Sequence, residues 1–200
     1  MEITKKYQII YADPPWDYTL IGKNFGRNIT KRKDGSFQPV ISAKDHYQTM
    51  TPQQIKELPI QKLCDKDCLL FLWVSSPLLD IGIEVMKSWG FDYKTIAFVW
   101  YKHSLMPGAY TMSSCEVCLV GKKGSIPKPR GLRNVHQFID QPRGEHSRKP
   151  TNARIRINQM FPTQNKIELF ARKPKGQLFE DESFKGWDVW GNEVKSDIEL

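Results

Sequence analysis

A buried strand stopped by two prolines constrains this chain more than any other feature. Tyr7 to Trp16 reads YQIIYADPPW: an apolar run with β-branched Ile9 and Ile10, then an acidic residue, two prolines and a tryptophan. Proline has no N–H to give to a ladder and fixes its own φ, so the strand must end before Pro14. The carboxyl ends of strands are where open α/β sheets place their ligands. Asp13 therefore stands at such an end. Pro14 and Pro15 hold its carboxylate and the neighbouring carbonyls rigid and pointed outward, and Trp16 offers a flat face beside them. A carboxylate set between an apolar strand and two prolines is partly desolvated, a cost that calls for a function.

The rest of the chain supplies a sheet for that strand. Asp17 to His46 is long, polar and without periodicity, and carries Arg27, Lys31, Arg32 and Lys33. A connection of that length is usually functional, and residues 17–46 are expected to form a positively charged lid. Thr51-Pro52-Gln53-Gln54 opens a short helix, with Thr51 as N-cap, Pro52 at the first position and Gln54 completing a capping box, closing near Leu58. Cys68 to Val74 (CLLFLWV) has the pattern of a central parallel strand covered on both faces. Ser76-Pro77 starts a helix with Leu78, Ile81, Val85 and Trp89 at helical spacing and Gly90 as its stop. Tyr93 to Tyr101 is a further strand, and this strand, helix, strand order predicts a βαβ unit in a parallel sheet.

Beyond a polar loop from Tyr101 to Ser114, Glu116 to Gly121 forms a fourth strand. Residues 122–146 make a basic loop region whose first part holds Lys122, Lys123, Lys128, Arg130 and Arg133 and no acid. Beside the sheet's ligand edge these cations would contact phosphates. Val135 to Ile139 reads as a short strand. Thr151 to Met160 reads as a helix, with Ala153, Ile157 and Met160 on its buried face and Arg154 and Arg156 off it. Lys166 to Ala171 is a strand, and Trp187 to Asn192 closes the pattern.

Composition narrows the function classes. Two hundred residues without repeats or low-complexity tracts suit a single domain over 1–200. No apolar run approaches the ~18 residues of a membrane span, and Met1 to Lys6 lacks a secretory signal, so a cytoplasmic protein with no membrane association is expected. A net charge of +8 favours a polyanionic partner, nucleic acid above all. Cys64, Cys68, Cys115 and Cys118 invite a zinc reading, but residues three apart on a strand face opposite sides, so Cys115 and Cys118 cannot easily share a metal. Buried, reduced thiols are expected, and no metal. Phosphate-loop, dinucleotide-turn, zinc-protease and nucleophile-elbow signatures are absent. A nucleotide-type cofactor would have to be held mainly by side chains.

Asp13-Pro14-Pro15-Trp16 after a strand, Phe71-Leu72-Trp73-Val74, Cys118-Leu119-Val120-Gly121 after a polar loop, His146-Ser147-Arg148-Lys149-Pro150 before a helix, IELFAR from Ile167 to Arg172, and Trp190-Gly191-Asn192-Glu193 follow in one order. In that order they resemble the DPPW-type adenine-N6 methyltransferases, the family of the catalytic subunit of the eukaryotic messenger-RNA methyladenosine writer and of many bacterial and phage DNA methyltransferases. The resemblance runs from about Tyr7 to Val194. It implies a class I, Rossmann-like α/β fold with a mostly parallel central sheet and helices on both faces, circularly permuted so that the catalytic half comes first and the cofactor-binding half last.

The resemblance also implies S-adenosylmethionine as cofactor and a role for each matching residue. Asp13, Pro14, Pro15 and Trp16 would meet the reacting amine, with Tyr47 from an active-site loop. Asp13 would also touch the cofactor. Lys149 would lie near the cofactor's carboxylate, Phe170 and Arg172 along its adenosine, and Asn192 and Glu193 at its ribose hydroxyls, where relatives usually carry Asn-Gln. The implied reaction is methyl transfer to adenine N6 in nucleic acid. DNA is favoured over RNA because the chain is short and shows no accessory RNA-binding segment. Transfer to RNA, or a catalytically silent nucleic-acid-binding subunit, are the alternatives. A bacterial or phage-encoded protein fits, and a homo- or heterodimer stays open. Elementary chemistry agrees: an adenine amine is a poor nucleophile until acceptors aimed at its hydrogens localise the nitrogen lone pair, a task of positioning and electrostatics.

Overall fold

Strand β1 (Tyr7–Ala12) stops one residue short of Asp13, as the prolines require, and every side chain but Gln8 is buried. It lies inside the sheet because its two sets of alternating side chains both find a core. Ile9 and Tyr11 face one apolar cluster while Ile10 and Ala12 face the other. The computed structural model describes residues 5–17, 29–31, 37–39, 49–106, 110–144, 148–172 and 182–200, with 29–31 and 37–39 given by backbone alone.

In chain order, β1 is followed by β2 (Ile29–Lys31) and β3 (Phe37–Pro39), which pair antiparallel as a separate ribbon. Then come α1 (Pro52–Glu57), β4 (Cys64–Val74), α2 (Leu79–Ser88), β5 (Asp92–Met106), β6 (Ser113–Lys123), β7 (Phe138–Asp140), α3 (Thr151–Met160), β8 (Lys166–Leu169) and β9 (Trp187–Trp190). The seven-stranded sheet has the order β7-β5-β6-β4-β1-β8-β9. β1 pairs in parallel with β4 on one side and with β8 on the other, and β8 pairs in parallel with β9. The last strands of the chain thus return to the flank of the first.

The parallel βαβ unit expected from β4, α2 and β5 is corrected in one respect. β5 does not pair with β4: β6 folds back from β5 as a hairpin and inserts between them, antiparallel to both. The sheet is therefore mostly parallel but mixed. The strands are also longer than expected, since β5 runs on to Met106 and β6 begins at Ser113, through most of the stretch read as a polar loop.

The helices cover both faces. Buried Val85 and Met86 of α2, with Trp89 just beyond it, share the cluster of Ile10, Leu70 and Leu119, whereas Ala153 and Ile157 of α3 share the cluster of Tyr11, Phe71 and Trp73. Two glycines permit the close approach of α2: a Cβ on Gly82 would stand 2.6 Å from a Val74 methyl, and one on Gly121 would stand 2.5 Å from the Met86 sulfur. Helix α1 has the full capping box of Thr51 and Gln54, with Leu58 as its C-cap. No helix among the described residues is long and apolar enough to cross a membrane.

Candidate active site

The carboxyl ends of β1 and β8 lie side by side, with Ala12 opposite Leu169, and the residues that continue them open a cleft. It is lined by Tyr11 of β1 and Asp13 just beyond it, Glu168 of β8 with Phe170 and Arg172 after it, Arg148 and Lys149 just before α3, Arg154 within α3, and Phe184, and spans about 390 Å³ including the open solvent at its mouth. The sequence reading named Asp13, Lys149, Phe170 and Arg172 among these, and the fold brings all four together.

At the cleft's centre, Lys149 Nζ lies 2.9 Å from Asp13 Oδ1 and 3.1 Å from Glu116 Oε2, while Lys102 Nζ lies 3.1 Å from Glu116 Oε1. Two carboxylates and two ammonium groups thus alternate in a line leading from β5 to Asp13. Burial pushes the Asp13 carboxyl above the usual aspartate range, and Lys149 only partly reverses it. Burial would raise Glu116 as well, but Lys149 and Lys102 together outweigh it and hold Glu116 at about 2. Glu116 and Lys102 escaped the sequence reading. Their signal was their place on neighbouring strands, with Trp100 opposite Glu116 and Tyr101 opposite Cys115, which becomes readable only once the hairpin is known.

The wall on the β8 side is equally polar. Arg154 Nη1 donates to Glu168 Oε2 at 2.9 Å, and its guanidinium lies 3.6 Å from the Phe184 ring centroid. The expectation that Arg154 points off the buried face is corrected: it is only 5% exposed, because Glu168 on β8 gives it a partner under the helix. Its Nε is buried with no hydrogen-bond partner among the described residues. Phe170 turns the chain out of β8 with φ +60, rare for a bulky side chain, and its ring meets Trp190 edge-on at 5.3 Å. The ends of β8 and β9 then approach so closely that a Cβ on Gly191 would sit 2.6 Å from the Ala171 carbonyl oxygen. This contact sets Arg172 beside Glu193, with Arg172 Nε 3.6 Å from Glu193 Oε1. Asn192 and Glu193 stand just beyond, outside the lining of the cleft itself.

The cleft's lining fits S-adenosylmethionine. A zwitterionic amino-acid end asks for cations and an anion together, and Lys149, Arg148 and the Glu168–Arg154 pair provide them, including one buried N–H with no acceptor among the described residues. A nucleoside end asks for a ring face and polar groups, which Phe170 and Arg172 provide.

Two expectations at the site change. Trp16 is not an open stacking face. Its backbone N–H donates to the Pro14 carbonyl at 2.9 Å, the Met50 N–H donates to the Pro15 carbonyl at 2.8 Å, and Asp17 N–H donates to the Met50 carbonyl. This turn buries the indole to 3% exposure, where Nε1 donates to the Trp73 carbonyl at 3.2 Å. Trp16 anchors the DPPW turn from beneath. The Pro14 and Pro15 carbonyls thus each accept one bond, from Trp16 and from Met50, and each keeps a second lone pair.

The basic loop is on the wrong edge to flank Asp13. Because β6 runs antiparallel, Lys122 and Lys123 pair opposite Leu69 and Cys68 at the start of β4, whereas the site adjoins its end. Arg130 packs over the Phe161 ring, Gly131 N–H donates to the Met160 carbonyl, and Pro129 accepts from Gln164. Lys128 and Arg133, either side of these contacts, share that far edge. Finally, Tyr47 and the lid cations Arg27, Arg32 and Lys33 lie outside the described residues, and Lys31 is described by its backbone alone. Among the described residues no group of three His, Cys, Asp or Glu side chains is placed to hold a metal.

Comparison with known proteins adds to this geometry. The sequence model of the MT-A70 family matches residues 7–193. A Type II methyltransferase, M.MunI of Mycoplasma sp, is 44% identical over 95% of this chain and 78% of its own length. A putative N(6)-adenosine-methyltransferase MT-A70-like protein of Medicago truncatula is 29% identical over 97% of this chain but only 27% of its own length. The human N(6)-adenosine-methyltransferase catalytic subunit METTL3 is 26% identical over 97% of this chain and 29% of its own length. The chain thus spans most of the first relative and little more than a quarter of the others.

Proposed function

The chain belongs to the MT-A70 family, and on that premise we propose that it is an S-adenosylmethionine-dependent methyltransferase acting on the N6 amine of adenine in nucleic acid, with DNA favoured over RNA. The observation that carries this reading is the meeting of Asp13 with Lys149 in a cleft whose lining suits a zwitterionic nucleoside. Relatives named as N(6)-adenosine-methyltransferases support adenine N6 as the acceptor. The preference for DNA rests on the nearly full-length likeness to a Type II methyltransferase.

In this reading Lys149, Arg148 and Glu168 would hold one end of S-adenosylmethionine and Phe170 and Arg172 the other, and the bound cofactor would supply an electrophilic sulfonium methyl. Asp13 accepts a hydrogen bond from one amine hydrogen and the Pro14 or Pro15 carbonyl accepts from the other, which turns the nitrogen lone pair out of the adenine ring. Lys149 holds the Asp13 carboxylate at the orientation this needs, and Glu116 and Lys102 hold Lys149. The amine grows acidic as the methyl arrives and, once methylated, gives its extra proton to solvent, so Asp13 acts as a hydrogen-bond acceptor and no stronger base is required. Burial of the Trp16 indole keeps the turn from relaxing. The +8 net charge supports a nucleic-acid substrate without choosing its kind.

The test is transfer of labelled methyl groups to unmethylated DNA and to RNA of matched sequence, followed by sequencing of the modified sites. Label in adenine of DNA supports the proposal. Label in RNA alone overturns the DNA preference, and donor binding without transfer to either leaves a silent subunit.

A further inference from the structure

The proposed reaction makes no use of the cysteine pair at the start of β4. In a regular strand, residues four apart stand roughly 13 Å from one another, well beyond the ~4–7 Å between the Cα atoms of a disulfide. Between Cys64 and Cys68 the strand is not regular. Its pairing with β1 sets Tyr7 opposite Cys64 and Ile9 opposite Leu69, so β4 advances five residues while β1 advances two. The excess, Asp65, Lys66 and Asp67, forms a bulge. It returns Cys68 to about one strand step, ~3.3 Å along the strand, from Cys64.

Both thiols face one core. Cys64 and Cys68 belong to the cluster of Tyr7, Leu63 and Leu70 and are 7% and 0% exposed. The Cys64 thiol also donates to the Ile60 carbonyl at 3.3 Å. The bulge is fixed from the neighbouring strand. Asp67 Oδ1 accepts from the Ser125 N–H at 2.7 Å, and Gly124, with φ +64, lets the backbones approach so closely that a Cβ there would stand 2.2 Å from the Lys66 carbonyl oxygen.

The two sulfurs are chemically unequal. Cys68, placed to donate to the Cys64 sulfur, holds the Cys64 thiol below its usual range; burial opposes this, and the Lys123 and Lys6 ammonium groups add to it. The same donation, together with burial, pushes the Cys68 thiol up. A thiol that ionises readily beside one that stays protonated is the pairing of an attacking with a resolving cysteine.

We propose that Cys64 and Cys68 are a reversible dithiol–disulfide couple whose oxidant is a hydroperoxide. The Cys64 thiolate attacks the O–O bond, leaving the Cys64 sulfenic acid and an alkoxide or hydroxide that takes up a proton. The Cys68 sulfur, giving up its own proton, then attacks the Cys64 sulfur; the S–S bond forms and water leaves. Two thiols and one hydroperoxide thus become one disulfide, one alcohol or water, and one further water, with two electrons passing to the peroxide. A dithiol returns those electrons by thiol–disulfide exchange. The couple stands at the amino end of β4 and the Asp13 cleft adjoins the carboxyl end, so the inference does not depend on the methyltransferase reading.

The experiment treats the folded, full chain with hydrogen peroxide, alkylates the remaining thiols in denaturant at timed intervals, and maps all four cysteines by mass spectrometry. Trypsin cleaves after Lys66, so the disulfide is read as two linked peptides. The expected result is a Cys64–Cys68 linkage that forms about tenfold or more faster than Cys115, the more exposed thiol, is oxidised, and that dithiothreitol reverses. In Cys68→Ala the Cys64 sulfenic acid should accumulate and be trapped by dimedone; the wild-type measurement stands whether or not that variant folds. Oxidation of Cys115 ahead of the pair, Cys64 and Cys68 still thiols when Cys115 is consumed, or disulfides that join two chains instead, would overturn the couple.

Discussion

Asp13 and Lys149 stand 2.9 Å apart as an ion pair, the one from the turn that ends the first strand and the other from the residue before Pro150, which N-caps the third helix. The pair joins the two halves of the chain at the point where, in the proposed reaction, acceptor and donor meet. Each partner is mostly buried, so neither charge is easily replaced by water.

Replacing the carboxylate should stop the reaction without unfolding the protein. Asp13→Asn keeps the side chain's shape, and Lys149 retains Glu116 as a partner. Methyl transfer should fall by about 10²-fold or more, the usual cost of losing a charged transition-state contact. Circular dichroism and the denaturation midpoint should stay close to wild type.

Lys149 also sets where Asp13 titrates. Burial pushes Asp13 up and Lys149 is the strongest influence in the opposite direction. In Lys149→Ala the acid limb of the kcat/KM profile should therefore move to higher pH, and calorimetry should show donor binding weakened by about tenfold or more. An acid limb that stays in place would separate the lysine from the acceptor.

Glu116 makes a prediction about stability. Its folded-state pKa is lowered from 4.5 to about 2. A lowered carboxylate pKa stabilises the fold above the unfolded value, and that contribution is lost as pH falls from about 4.5 towards 2. At roughly 1.4 kcal/mol per pKa unit it amounts to a few kcal/mol at most, reduced by the fifth of the side chain that solvent reaches, 22%. Asp13 has the opposite sign, its raised pKa favouring the folded state in acid. Urea unfolding at pH 7 and pH 3.5 should show a smaller difference in Glu116→Gln than in wild type.

The Arg154–Glu168 pair offers a test of the buried wall. Their side chains are 6% and 13% exposed, so Arg154→Met takes the guanidinium away from a buried carboxylate and should cost about 3–5 kcal/mol of stability. The double variant with Glu168→Met should recover most of that loss. Chemical denaturation of the three proteins checks both statements.

Legibility in the sequence followed the range of the interactions. DPPW, the capping box of Thr51 and Gln54, and helix α3 were readable because a few adjacent residues determine them. The buried strands were readable because both faces of CLLFLWV are apolar. What failed to show was pairing between distant segments. The insertion of β6 between β4 and β5 reversed the direction of the fourth strand, moved Lys122, Lys123 and Arg130 to the far edge, and delivered Glu116 and Lys102 to Lys149. Arg154 looked solvent-facing because its partner, Glu168, lies fourteen residues away on another element. Trp16 was read as an exposed face, yet the hydrogen bonds that bury it come from Met50 and Trp73.

The central claim, that the Asp13 turn presents an adenine amine to a methyl donor, is tested most directly by nucleoside analysis. Unmethylated DNA is incubated with S-adenosylmethionine carrying an isotopically labelled methyl group and with wild-type protein or Asp13→Asn, then digested and resolved by mass spectrometry. The predicted result is labelled N6-methyldeoxyadenosine with the wild type and on the order of 10²-fold less, or none, with Asp13→Asn. Label on cytosine, or equal labelling by the two proteins, would contradict the account.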